Sequence, residues 1–212
     1  FKNIGGLVGR IDNQSFDGMK IAISTSYASG DVIGLGQLGG LVGYAAHKVS
    51  ITDCETIQHT VGTYSGYSGG RIGGLVGYLE DNSLIEYSRA QNDVLCDDGG
   101  NEIGGLVGLQ EASVITNSYS AGDVSCSGGT YVGGLVGSAV HGSEISNSYT
   151  KGRFVQGGDR TGGLVGVADG VTLTSCSSSG NVTGGDNTGG LVGYAYGGNI
   201  KNCSSSSTVP DK

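Results

Sequence analysis

Three histidines and five cysteines are the side chains in this 212-residue sequence best suited to hold a metal or attack a substrate. None of His47, His59 and His141 is followed by Glu, so the H-E-x-x-H pair that seats catalytic zinc is absent. No G-x-S-x-G elbow presents a nucleophilic serine, and no C-x-x-C pairs thiols for zinc or redox work. The cysteines follow a different rule. Cys96 and Cys126 each close a D-V-x-C run, while Cys176 and Cys203 each lie 14 residues after the start of a recurring pentapeptide, GGLVG. In stacked repeats the members of each pair would sit one ladder step apart with their side chains pointing the same way, a poor arrangement for a bridge. They read as small buried thiols in place of serine, and Cys54 occupies the same serine column.

Oxygen donors are denser. The stretch DDGGNE offers Asp97, Asp98, Asn101 and Glu102 in a glycine-rich turn, which suits calcium, although it is neither an EF-hand nor the nonapeptide calcium repeat. A solvated turn is the competing reading, and no other cofactor is indicated. Two insertions, TYSGYSGGR (63–71) and LCDDGGNE (95–102), should emerge at one corner of adjacent repeats. They would combine Tyr64, Tyr67 and Arg71 with Asp97, Asp98 and Glu102 as a binding edge, against the alternative of a tolerated loop. Polysaccharide cleavage would need two carboxylates beside a cation on one face. Asp93 and Asp123 align with Arg153, but Asp31 and Asn181 share their column, so a turn role is the better reading.

The elements that position these residues are set by the pentapeptide. It occurs seven times, at spacings of 34, 34, 31, 29, 29 and 27 residues, periods typical of solenoids and arrays. An aliphatic landmark follows each copy (Ile23, Ile51, Ile85, Ile115, Ile145, Leu173, Ile200), then a second apolar one, among them Val32, Val61, Val94, Val124, Phe154 and Val182. The segments are short, rich in Val, Ile, Thr and Ser, and bounded by Gly, Asn and Asp, which is strand-and-turn chemistry. The pattern predicts an all-β parallel β-helix (β-solenoid) of about seven coils with three short strands per coil. One solenoid over 1–212 divides into repeats 5–38, 39–72, 73–103, 104–132, 133–161, 162–188 and 189–212. Its core is a leucine ladder of Leu7, Leu41, Leu75, Leu106, Leu135, Leu164 and Leu191. Strict alternation would turn the neighbouring valines outward, but seven identical valines on an open face argue for a bend at the glycine pair. Asp53, Asn117, Asn147, Ser175 and Asn202 form a polar column at a corner, where stacked amides can hydrogen-bond along the axis.

Composition narrows the classes. Glycine is the commonest residue at 44 and proline occurs once, without the three-residue period of collagen; regularly placed Leu, Val and Ile exclude a flexible linker. A net charge of −8 argues against nucleic-acid binding, and no 18-residue apolar run spans a membrane. GGLVG matches neither a dinucleotide fingerprint nor a P-loop. The opening FKNIGG enters the first repeat almost at once and reads as a fragment of a longer protein.

GGLVG, preceded by NSYSAGDVSCSGGTYV and followed by SAVHGSEISNSYTKG, resembles the GLUG-motif repeats of bacterial surface adhesin-like proteins and of the non-catalytic region of immunoglobulin-A-specific metallopeptidases. The resemblance covers essentially the whole chain, clearest in repeats four to six; the second repeat departs from it, reading TDCETIQHTVG. It implies a non-catalytic, extracellular or cell-surface repeat domain that spaces or displays partners. Those partners would be a host glycan or protein, other domains of the same polypeptide, or further copies joined through the ladder ends. The alternatives are a β-helical polysaccharide-degrading enzyme, or an accessory domain of a secreted metallopeptidase.

Overall fold

The computed structural model describes residues 2–14, 19–63, 70–97 and 99–210, without the side chains of 58 and 59. Over them the chain winds into a β-solenoid in which each strand pairs in parallel with its equivalent one repeat away. Three sheets hold seven strands each, one from every coil, and a fourth face holds eleven. The second repeat shows the order: Gln37–Gly39, Val42–Ala46, Val49–Thr52 and Glu55–Thr63 enter the first to fourth sheets. In later coils the fourth face breaks into two pieces, such as Tyr119–Ser120 and Val124–Cys126.

The pentapeptide straddles two strands. Its first glycine ends one and its valine begins the next, so the corner between them resets the in–out alternation. Leu41 and Val42 are therefore both fully buried in one cluster, and the valines that strict alternation would expose point inward. The bend expected at the glycine pair is where the chain turns.

That corner also pinches the interior into two columns. One packs Leu41, Val42, Ala45 and Ile51 with their equivalents; the other packs Leu38, Val61, Ile72 and Val94 with theirs. The glycines make the waist possible. A Cβ on Gly77 would lie 2.6 Å from the Gly43 carbonyl oxygen and 2.8 Å from the Leu38 nitrogen, and one on Gly74 would collide with the Gly105 carbonyl oxygen. Backbone touches backbone there, and no side chain fits. Leu41, Leu75, Leu106, Leu135 and Leu164 are fully buried, whereas Leu7 in the first coil is 50% exposed.

The polar corner column owes its composition to backbone conformation. Asp53, Asn117, Asn147, Ser175 and Asn202 all have φ between 48° and 55°, the left-handed region that Asn and Asp enter most readily. Hydrogen bonds along the axis run through the next column. The N–H of Cys54 donates to Ser88 Oγ at 3.1 Å, that of Ser88 to Ser118 Oγ at 3.1 Å, and that of Ser118 to Ser148 Oγ at 3.2 Å. Cys203 Sγ accepts from the Cys176 N–H at 3.4 Å, so sulfur stands in for the hydroxyl. Burial pushes the Cys176 thiol up to about 11.

Two sequence expectations need correction. Cys96 and Cys126 form a disulfide rather than two thiols; stacked in register, their Cα atoms are 4.7 Å apart, inside the bridging range. In the fifth repeat Val155, not Phe154, pairs with Val124 and enters the core, because that repeat carries one more residue before the strand. The Asp column has the turn role expected of it. Asp31 accepts from the Thr60 N–H at 2.9 Å, Asp93 from the Asp123 N–H at 2.8 Å, and Asp123 from the Arg153 N–H at 2.7 Å.

Candidate functional site: a longitudinal groove

Because the waist brings the first and second sheets together, their outward side chains face each other across a groove that follows the rod. One wall is the residue two places before the pentapeptide, running from Gln37 through Arg71, Glu102 and Tyr131 to Arg160 in consecutive register. The facing wall is the residue just after the pentapeptide: Tyr44, Tyr78, Leu109, Ser138, Val167 and Tyr194. Cations from the first wall reach tyrosines on the second. The guanidinium of Arg71 lies 4.4 Å from the Tyr78 ring centroid, and that of Arg160 lies 5.2 Å from Tyr131 and 4.9 Å from Tyr194. Such contacts fix the side chains at modest energy.

The acidic groups in the groove are driven in opposite directions. Glu111 accepts from the Tyr78 hydroxyl at 2.5 Å and meets His141 Nδ1 at 2.8 Å. The Tyr78 hydrogen bond, with help from His141, holds its carboxyl below the usual range. Glu102 lies 3.8 Å from Arg71 Nε, yet burial outweighs that cation and raises its carboxyl. Burial, then the bonded carboxylates, raise the hydroxyls of Tyr44 and Tyr78.

In the later coils the second wall steps down to Ser138 and Val167, and the groove widens into a cavity of about 570 Å³. Tyr131, Arg160, Tyr194 and Tyr196 supply its rings and its cation, while Glu102, Glu111 and Asp169 supply carboxylates. This is the size and mixture of a small-molecule site, apolar faces with a few polar groups.

Of the binding edge read from the sequence, Arg71 and Glu102 do meet, as neighbours on the groove wall. Asp97 and Asn101 are exposed in the loop, and Tyr64, Tyr67 and Asp98 lie outside the described residues. Among the described residues no three His, Cys, Asp or Glu side chains are grouped to hold a metal ion. Tyr131, Arg160, Tyr194 and Tyr196 escaped the sequence reading, which looked to insertions. Their signal was available. The positions flanking an invariant pentapeptide vary among Arg, Glu, Tyr, Ser and Val, which marks them as facing outward from the core.

The family model described as "The GLUG motif" matches residues 68–95, 99–125, 128–155 and 184–209. Halomucin of Haloquadratum walsbyi (strain DSM 16790 / HBSQ001) is 36% identical over 132 residues, a match taking in 58% of this chain and 1% of halomucin. The chain thus spans about one per cent of that relative's length. No solved structure matches.

Proposed function

The chain belongs to the GLUG-motif family, and from that membership we propose that it is a non-catalytic repeat domain of an extracellular surface protein, a stiff spacer whose lateral groove contacts a glycan or protein. The observation that carries the reading is the uninterrupted seven-strand register of three sheets. Ladders closed on themselves along the rod leave no lateral strand edge, so the body is rigid and its sides present only side chains. The Cys96–Cys126 disulfide supports an extracellular setting, since such bonds persist in oxidising compartments. The halomucin relative is archaeal, so membership does not by itself assign the chain to a bacterium.

The test is to pass the purified chain over immobilised glycans and candidate surface proteins while assaying the soluble glycans for cleavage. Retention without turnover is the expected result. Turnover would overturn the non-catalytic reading. One observation favours that second reading, a β-helical polysaccharide-degrading enzyme: Glu102 and Glu111 line one cavity with their carboxyls displaced in opposite senses, the pattern of an acid–base pair. Loss of cleavage in both Glu102→Gln and Glu111→Gln would establish it.

A further inference from the structure

We propose that the wide part of the groove, in coils four to seven, is a binding subsite for a linear neutral sugar chain lying parallel to the rod. The inference rests on the groove being the contact surface, and goes on to name the ligand chemistry.

Three features carry it. First, the walls match a polymer. Tyr131 and Arg160 are paired one coil apart, as are Val167 and Tyr194, so the groove offers one side chain per wall every ~4.8 Å along its length. A chain with short, regular monomers can meet each coil in turn. Second, the chemistry matches hydroxyls. Tyr131 and Tyr194, each with one face against the Arg160 guanidinium, line the cavity with apolar rings, while Arg160 can donate and Glu102, Glu111 and Asp169 can accept. Among the described residues Arg160 Nε is buried without a hydrogen-bond acceptor, with Asp159 3.9 Å away. A hydroxyl entering the cavity would complete it. Third, Ser138 and Val167 are small where Tyr44, Tyr78 and Tyr194 fill the same column, and this local loss of side chain makes the space.

The charges argue against the other polymers. Three carboxylates outnumber one guanidinium in the cavity, and the chain carries −8 overall, which repels a polyanion. A basic peptide would find Arg160 at the centre of the site. Nor would it find a strand edge along Tyr131–Gly133, Arg160–Gly162, Val136–Val140 or Val165–Asp169, which are paired on both sides; Asn187–Gly189 and Val192–Tyr196 in the seventh coil are paired on one side alone.

Isothermal titration with cellohexaose, xylohexaose, mannohexaose and chitohexaose tests the proposal, with polygalacturonate and poly-L-lysine as the contrasting probes. The expected result is saturable binding of at least one neutral hexamer. That binding should weaken by at least about tenfold in Tyr194→Ala and Arg160→Gln. It should weaken comparably in Ser138→Tyr, which fills the notch with a residue its own column already holds at three positions; circular dichroism should show each variant folded. Binding of only polygalacturonate or poly-L-lysine overturns the ligand class while leaving the groove as a contact surface, provided the variants abolish it. Neutral-hexamer binding that survives all three substitutions overturns the site. Silence across the panel overturns the proposal. Cleavage of a bound hexamer would overturn the non-catalytic reading and leave the ligand class standing, so the two fail separately.

Discussion

At the scale of the residue, the glycines of the pentapeptide are fixed by what stands next to them. A Cβ on Gly108 would lie 2.6 Å from both the Gly77 oxygen and the Ile72 nitrogen, backbone atoms that cannot rotate away. Gly108→Ala should therefore lower stability by about 1–3 kcal/mol or more, read from the urea midpoint, with little change in the β-type circular dichroism of the folded chain. Glu102 makes the opposite case, a side chain the fold tolerates at some cost. Burial raises its carboxyl in the folded state, so the folded protein holds its proton more tightly than the unfolded one. Stability from this group is full below the unfolded carboxyl value and declines as pH rises through the folded one. Glu102→Gln should melt higher than the parent at pH 7, and the difference should vanish at pH 3; equal melting at both pH values would contradict it. The recurrence of these glycines in the sequence points to a close backbone approach without saying what they approach. It is a contact between residues some 30 apart, visible only once the coils are stacked.

At the scale of the element, each corner is held by a column rather than by a single cap. Ser88→Ala would remove the acceptor of the buried Cys54 N–H and should cost about 1–3 kcal/mol. Ser88→Cys should cost clearly less, because Cys203 Sγ already accepts the equivalent bond at 3.4 Å; chemical denaturation of the pair checks both. The Cys96–Cys126 bridge joins neighbouring coils across a 30-residue loop. Reducing it should lower stability by about 3–4 kcal/mol if loop closure dominates, measured by calorimetry with and without reductant. Strand positions, the leucine ladder and the serine column were legible because each recurs at a fixed offset from GGLVG. The disulfide was not, since alignment brings two cysteines together without saying whether their sulfurs join. The groove was harder still. It depends on two sheets meeting back to back at the waist, and alternation along a single strand carries no trace of that.

At the scale of the whole molecule, coils touch only their neighbours, so stability accumulates coil by coil. Leu7 and Ile200 are 50% and 49% exposed, whereas the equivalent side chains of the inner coils are fully buried. Hydrogen exchange should accordingly be slowest in the third to fifth coils and fastest in the first and seventh, a gradient that a single cooperative globule would not show. The fold class could be read early because it is a property of the repeat; the groove walls belong to the residues that the repeat leaves free to differ. The waist has a last consequence for how such a chain changes over time. Every wall position is keyed to an adjoining GGLVG, so unequal recombination between two pentapeptides deletes or duplicates one complete coil and leaves all others in phase. The groove then gains or loses one rung of its walls, while every remaining coil keeps its register.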